Sequence, residues 1–527
     1  MERKPILDDH YQTIMAKKEI NPNSDKDFVD QIDLANEHNF PKFLKRIKLS
    51  PFRHIADITL NFIHPISVIA GTNRSGKSTI LMALACSHFD FKKRNIHNGY
   101  LERHTWSSIM QFTSQDKQKI DWTYFITYKL GNKEETKRGQ RKASTKKWNG
   151  IGKKETQFTN RQVIFLDLDR ISPARNFGRA IFNKSQKAAV TNITAVNIPR
   201  IEKYLSYVLE ENFKLNKLAS HLDKDIFKYS NSNEYSSYNA ATGEEVLTKI
   251  IIDIIEAPDH SLILIDEIEV GLHPKIQRRL IQALYNIARN DSKQFILTSH
   301  SPSILSSLPD KARVFIEKVS DGNFKAIPNI SVNAALSKMD SISYPLVDLY
   351  CEDKEAKKII QKAISAIQLE NALTNFADLI NIIVSGSGDK TYTYFKSHQE
   401  TYPYKRIKTG YACILDGDRR ILKDKAGNLS YPKEECLNFI YSNDSPEKFL
   451  TAEYLLKYPN STLSYHVNNS DPHCLFDKMI ENSICTTREE AFEISWSHFV
   501  TTIDGKLYFE ELKAFILSMT KKYSPDL

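Results

Sequence analysis

The sequence predicts a multidomain α/β protein, and three observations carry that expectation. The apolar run Ile66-Ser67-Val68-Ile69-Ala70 stops at a glycine loop beginning at Gly71, and a helical pattern follows from Thr79. Two more apolar runs, Leu262-Ile263-Leu264-Ile265 and Phe295-Ile296-Leu297, bracket a helical spacing of Ile276, Leu280, Leu284 and Ile287; strand, helix, strand implies a parallel sheet. After Ser343-Tyr344-Pro345 the pattern restarts with strands that each end in a glycine or an acid. At 527 residues the chain exceeds the roughly 100–200 residues of one domain, so two or three are expected.

Composition narrows the class. Hydrophobic residues at 41% and charged residues at 26% exclude a disordered, collagen-like or disulfide-scaffold chain. Lys plus Arg outnumber Asp plus Glu by 73 to 64, and a net charge of +9 is compatible with a polyanion partner without requiring one. Cys86, Cys351, Cys413, Cys436, Cys474 and Cys485 include no C-x-x-C pair, which argues for reduced, structural thiols. Neither an apolar leader nor a membrane-length apolar run is seen, so the expected location is cytoplasmic, without membrane association.

In chain order, residues 1–44 are polar and read as an N-terminal arm. Residues 45–340 form the expected first large domain. Its early strands are marked by Ile47 and Leu49, by Ile55, Ile58, Leu60 and Phe62, and by Trp122–Tyr128. Lys137 to Lys154 carries eight basic residues and no acid, which predicts a solvated surface loop, with phosphate-backbone contact as the alternative. Val163–Leu166 is again strand-like. The spacing of Ile201, Leu205, Val208 and Leu209 predicts a helical insertion or dimerisation element near 195–225. Residues 341–527 form the remaining domain, ending in a helical extension.

Gly71-Thr72-Asn73-Arg74-Ser75-Gly76-Lys77-Ser78 matches G-x-x-x-x-G-K-[ST] between an apolar strand and a helix. Such a loop curls its N–H groups around phosphates at a helix N-terminus. Lys77 supplies charge to the β- and γ-phosphates and the Ser78 hydroxyl ligates Mg²⁺. Asn73, Gly76, Lys77, Ser78 and Thr79 are therefore the candidate ATP-binding residues. The strand Leu262–Ile265 runs into Asp266 and Glu267: Asp266 is the candidate second Mg²⁺ ligand and Glu267 the group that polarises the attacking water.

Upstream of that strand lies Ala241-Thr242-Gly243-Glu244-Glu245, and downstream lie Gly271-Leu272-His273-Pro274 and Thr298-Ser299-His300-Ser301-Pro302. The order resembles that of ABC-type ATPases. The resemblance implies a homodimer, or a higher homo-oligomer built through the same heads, that sandwiches ATP. Thr242, Gly243 and Glu244 would then reach the γ-phosphate of the partner's nucleotide, and His300 would sense it. Gln111 and Gln115 are the two candidates for the Q-loop glutamine.

In the second domain, Leu346–Cys351 leads to Glu352, Ile382-Ile383-Val384 leads to Ser385–Gly388, and Ala412–Leu415 leads to Asp416-Gly417-Asp418. The carboxyl ends of parallel strands share one edge, so Glu352, Asp416 and Asp418 are expected to meet there and hold Mg²⁺ or Mn²⁺; an ordinary Asp-Gly-Asp turn is the alternative. In this order the motifs resemble the TOPRIM domain. An ABC-type head followed by such a domain resembles the OLD (overcoming lysogenisation defect) family of ATP-dependent nucleases, including Gabija-type and retron-associated antiphage effectors. It is also similar to Septu-type defence ATPases, whose nuclease is a separate partner. The fold class expected is thus α/β, an ABC-type P-loop ATPase domain with a helical insertion followed by a TOPRIM-like parallel-sheet domain.

The resemblance implies a metal-dependent nuclease acting on DNA or RNA in bacterial defence, with Glu352, Asp416 and Asp418 catalytic beside Glu267 and His300. Its partners would be nucleic acid and, in a retron setting, a reverse transcriptase with its msDNA. The competing expectation is an ATPase sensor or scaffold whose TOPRIM-like domain is non-catalytic and works with a separate nuclease. The pattern departs from the family where Asp353 replaces the usual glycine and Ala356 stands at the usual second acid, the nearest being Glu355. Glu447 and Glu453 are candidates for a later ligand, with solvated helix charges as the plainer reading.

Overall fold

A computed structural model describes residues 18–89, 91–94, 101–103, 121–143, 155–159, 161–187, 197–221, 224–320, 322–340, 344–370, 376–405 and 409–523. Gln111 and Gln115 lie outside the described residues. The chain forms two compact units, Met1–Ile330 and Ser331–Leu527.

The first unit is built on a six-stranded sheet in the order Asn323–Pro328, Arg313–Ser320, Ile66–Gly71, Gln294–Thr298, Leu262–Ile265, Val163–Leu166. All neighbours are parallel except the first pair. Leu262, Ile263, Leu264 and Ile265 are all 0% exposed. Covered on both faces, this strand needs a continuous apolar run rather than an alternating one, and each such side chain contributes about 1.5–3 kcal/mol over its exposed state. Gln294–Thr298 lies between the glycine-loop strand and the acidic strand, so its C-terminal end separates their two loops. That placement makes Thr298 a neighbour of both.

A four-stranded antiparallel sheet, Ile58–Asn61, Lys42–Leu49, Trp122–Leu130, Lys133–Arg141, shares one apolar core with the parallel sheet. Lys133–Arg141 corrects the loop expected from Lys137. Arg138 lies over the Phe125 ring at 5.6 Å, Arg141 over Trp122 at 5.2 Å and Lys137 over Phe158 at 5.5 Å. Strand pairing with Trp122–Leu130 places these three cations over aromatic rings, and Arg138 keeps its exposure to solvent. Residues 144–154 lie outside the described part of the chain.

The expected helical insertion near 195–225 is corrected as well. The helix Ile198–Leu209 ends where Glu210 turns left-handed at φ 61. Beyond it, Lys214–His221, Lys224–Ser230 and Glu234–Ser236 form an antiparallel sheet. The helical period stops at Leu209, and the buried residues Leu215, Ala219, Ile226, Phe227 and Tyr229 that follow belong to strands. The helix is pinned to Pro274–Asp291 by Arg200, whose guanidinium donates to both Asp291 oxygens at 2.7 Å, and by Tyr204, which donates to Asn286 at 2.7 Å. The described part of the expected N-terminal arm also packs there: in the helix Pro22–Asp30, Asp25 accepts from Arg289 and Asn286.

The second unit has a four-stranded, wholly parallel sheet in the order Ile380–Val384, Val347–Cys351, Gly410–Leu415, Leu437–Phe439. The helix Lys354–Glu370 buries Ile359, Ile360, Ala363, Ile364 and Ile367, the one-sided stripe expected of a crossover helix. Five helices close the unit: Pro446–Lys457, Ser461–Asn469, Leu475–Glu481, Arg488–Phe499 and Ile503–Tyr523.

Candidate functional site

In the first unit the strand Ile66–Gly71 hands over to the helix Lys77–Cys86 through a loop with Arg74 at φ 66 and Gly76 at φ 91. Gly71 is required by space as well as by angle, since a Cβ there would sit 2.7 Å from both the Ile316 carbonyl oxygen and Ser75 Oγ. Lys77 Nζ donates to the Gly71 carbonyl at 2.9 Å and the Thr72 carbonyl at 3.0 Å, so the loop holds its own lysine. Burial lowers the Lys77 pKa, while Glu267, Asp266 and Glu269 pull it back up. Asn73 is exposed, Ser78 half-buried, and Gly76 and Thr79 buried.

The acidic strand end is organised by a threonine. Thr298 Oγ donates to Asp266 Oδ1 at 2.6 Å and accepts the Glu267 N–H at 2.7 Å. Glu267 itself is left-handed at φ 46, a costly conformation for this residue type. Its carbonyl is held by Arg170 Nη2 at 2.7 Å. The His300 N–H donates to Glu269 Oε1 at 2.6 Å, and its Nε2 is buried with no partner. Burial, then the charge on Lys77, lowers the His300 pKa, which favours the neutral ring. Asp266, Glu267, Lys77 and His300 thus form one electrostatic group. Arg170 and Glu269 were not legible as members, for neither lies in a spaced motif.

Thr242, Gly243 and Glu244 open the helix Thr242–Glu256, where Glu244 accepts the Ala241 N–H at 2.9 Å. A Cβ on Gly243 would come within 2.9 Å of the Gly271 carbonyl oxygen, so this glycine permits a close backbone crossing. Among the described residues no hydrogen bond or ion pair joins this turn to the Gly71–Ser78 loop of the same chain.

The second unit gathers carboxylates. Glu352, Asp416 and Asp418 each place a ligand-type oxygen within 4.8 Å of the others. They meet because Val347–Cys351 and Gly410–Leu415 are parallel neighbours with Cys351 opposite Ile414, so the residues just beyond share one edge. Asp416 N–H donates to Glu352 Oε1 at 2.9 Å, and Arg419 Nε reaches Glu352 Oε2 at 3.3 Å and Asp418 at 3.6 Å. The Oδ1 atoms of Asp416 and Asp418 accept no hydrogen bond, although Arg419 lies within ion-pair reach of the latter. Burial, joined by repulsion from Glu352, Asp353, Asp418 and Glu447, pushes Asp416 up to about 9. Burial also raises Glu352. These residues fit a divalent cation, which would replace the missing donors and cancel the repulsion.

Gly417 is no casual turn residue: a Cβ there would lie 2.5 Å from the Ser442 carbonyl oxygen and 2.8 Å from that of Tyr441. Glu355 is buried and paired with Lys358 at 3.0 Å, outside the cluster. Glu453 is half-buried and joins no such group among the described residues. Glu447 corrects the solvated-charge reading. It is 2% exposed, and with Asp353 and His473 it forms a second trio of ligand-type atoms within 4.8 Å. Helical position alone could not show that Pro446–Lys457 turns its first residues inward.

Residues 66–306 match the family AAA_21, described as AAA domain, putative AbiEii toxin, Type IV TA system. A Retron Vc95 probable ATPase of Vibrio cholerae serotype O1 biovar El Tor is 33% identical over 145 residues, 24% of this chain and 27% of that protein. The Septu protein PtuA of Bacillus thuringiensis is 23% identical over 334 residues, 54% of this chain and 79% of that protein. The chain therefore matches only about a quarter of the length of the first of these relatives. Among solved structures, an SMC head bound to the C-winged helix domain of ScpA aligns at TM-score 0.36 and 14% identity, over 54% of this chain and 97% of that one. The recombination mediator RecF with ATPrS aligns at TM-score 0.32 and 13% identity, over 55% and 98%. Those structural likenesses are too distant to argue from. The sequence match and the strand–loop–helix geometry make residues 66–306 an ATPase-type P-loop segment.

Proposed function

We propose that the chain is a homodimerising, ABC-type ATPase of OLD kind whose second unit is a TOPRIM-like, divalent-cation-dependent nuclease acting on DNA or RNA in cytoplasmic antiphage defence. Lys77 and Ser78 would bind ATP and its Mg²⁺ together with Asp266, and Glu267 would orient water. Thr242, Gly243 and Glu244 would complete the partner's site, and His300 would report on the γ-phosphate. The retron and defence setting is supported by the names of two relatives, and a reverse transcriptase with msDNA is a fitting partner.

The observation that carries the nuclease half is the trio Glu352, Asp416 and Asp418, two of them buried, in which Asp416 Oδ1 and Asp418 Oδ1 accept no hydrogen bond. Mg²⁺ or Mn²⁺ bound there would supply Lewis-acid stabilisation of a phosphodiester and an activated water. Incubating the purified chain with single- and double-stranded DNA and RNA tests this, with Mg²⁺ or Mn²⁺, with and without ATP. Chelator-sensitive cleavage is expected. No cleavage under any condition would leave the ATPase without a nuclease of its own.

One observation favours a second reading. Arg419 bridges Glu352 and Asp418 and supplies part of the positive charge an ion would bring. On that reading the second unit is a non-catalytic scaffold for a separate nuclease or retron partner.

A further inference from the structure

Asp353, Glu447 and His473 come from three different elements. Asp353 immediately precedes the helix Lys354–Glu370, Glu447 sits in the first turn of Pro446–Lys457, and His473 lies in the short turn Pro472–Cys474. Each contributes one ligand-type atom to a group spanning no more than 4.8 Å. We propose that these three residues form a metal site of their own, distinct from Glu352–Asp416–Asp418, which takes a first-row transition dication such as Zn²⁺ or Mn²⁺ in preference to Mg²⁺.

The argument begins with Glu447. Its side chain is 3% exposed, and the available partners crowd one oxygen: His473 Nδ1 lies 3.3 Å and Arg488 Nη2 3.7 Å from Oε1. Oε2 is buried and has no hydrogen-bond partner in the structure. A plain ion pair with His473 would leave that oxygen without a hydrogen bond, which is unfavourable for a buried charged group. Asp353 uses one oxygen to accept the Ala356 N–H at 2.8 Å, which leaves the other for an ion.

Ligand type selects the metal. An imidazole nitrogen with two carboxylates suits Zn²⁺ and its neighbours in the first transition row, whereas Mg²⁺ favours all-oxygen shells and keeps its waters. Three protein ligands leave positions open for water or a substrate oxygen, as in catalytic rather than structural sites. The His473 side chain is 62% exposed, so an ion has a way in. Sequence pattern hides the group because its members are not regularly spaced and Asp353 replaces a residue that carries no ligand.

The site stands whether or not the chain cuts nucleic acid, and its test reads metal binding. The full-length chain, free of any histidine tag and of nucleotide, is titrated with Zn²⁺ by calorimetry and loaded with Mn²⁺ for pulsed electron paramagnetic resonance. The expected wild-type result is a bound ion with ¹⁴N coupling to one imidazole. His473→Asn, at an exposed position, should remove that coupling and weaken Zn²⁺ by at least about tenfold, and the isosteric Glu447→Gln should weaken it comparably. Asp418→Asn should leave both signals in place. Absence of nitrogen coupling in the wild type, or unchanged binding in His473→Asn, would reduce the trio to an ion pair. Loss of the coupling in Asp418→Asn would show one shared site and overturn the separation claimed.

Discussion

Parallel strands end in acids in both units, one strand in the first and two in the second, and the two groups of acids are balanced differently. At Asp266 and Glu267 a lysine, a threonine hydroxyl and an arginine surround the acids, and Lys77 feels both carboxylates. At Glu352, Asp416 and Asp418 one half-buried arginine faces three carboxylates, and two oxygens have no donor. The first arrangement already sets donors and cations against its acids before any ligand arrives. The second needs a proton or a cation, which is why Asp416 is pushed up to about 9.

Breaking the first region should have the largest effect. Lys77→Ala removes the cation facing the phosphates and should weaken ATP binding by ~100-fold or more, whereas Glu267→Gln should bind ATP and hydrolyse it slowly. Binding by fluorescence and turnover by phosphate release check the pair; normal turnover in both would remove the nucleotide site from this loop.

Next in size is the turn between the two aspartates. Gly417→Ala drives a methyl into the Ser442 carbonyl and should cost about 1–3 kcal/mol, read as a lower midpoint for the second unit in denaturant. An unperturbed midpoint would restore the ordinary-turn reading of Asp416-Gly417-Asp418.

A pH series sharpens the contrast between the regions. Asp416 stands at about 9 in the folded chain against 3.8 for the free group, so the unfolded chain loses this proton first as pH rises. Stability of the metal-free second unit should therefore fall as pH climbs from 3.8 toward about 9. Mn²⁺ should restore more stability at about pH 8 than at about pH 6, because the ion replaces the proton. Thermal unfolding with and without Mn²⁺ measures it, and a metal effect independent of pH would contradict the carboxylate account.

The smallest effect concerns the basic strand. Arg141→Ala should cost about 0.5–1 kcal/mol through its lost stacking on Trp122. It should change the salt slope of nucleic-acid binding by well under the ~0.9 of one phosphate contact. A full unit of slope would return Arg141 to the phosphate-binding role.

How much of this was legible follows from physics at particular residues. The buried strands Leu262–Ile265 and Gly410–Leu415 announce themselves as apolar runs, and parallel pairing then aligns their ends, so Glu352 and Asp416 could be placed from sequence. The glycine loop is equally visible, because backbone curvature demands glycine at fixed spacing. Arg170, Glu269 and His473 are invisible to such reasoning, since each reaches its site through tertiary packing. The strand Lys133–Arg141 was hidden by its many charges, three of which lie over aromatic rings. The sheet after Leu209 was hidden because a helical period was extended past the residue where it stops.

The central claim is that the two acid clusters hold separate chemistry, and Asp416→Ala tests it most directly when ATP hydrolysis and nucleic-acid cleavage are followed on one preparation. The account predicts that cleavage in Mg²⁺ or Mn²⁺ is lost while hydrolysis stays near the wild-type rate, since the ligands proposed for the nucleotide's ion, Ser78 and Asp266, belong to the other cluster. Hydrolysis falling in step with cleavage, or cleavage persisting in the variant, would contradict it.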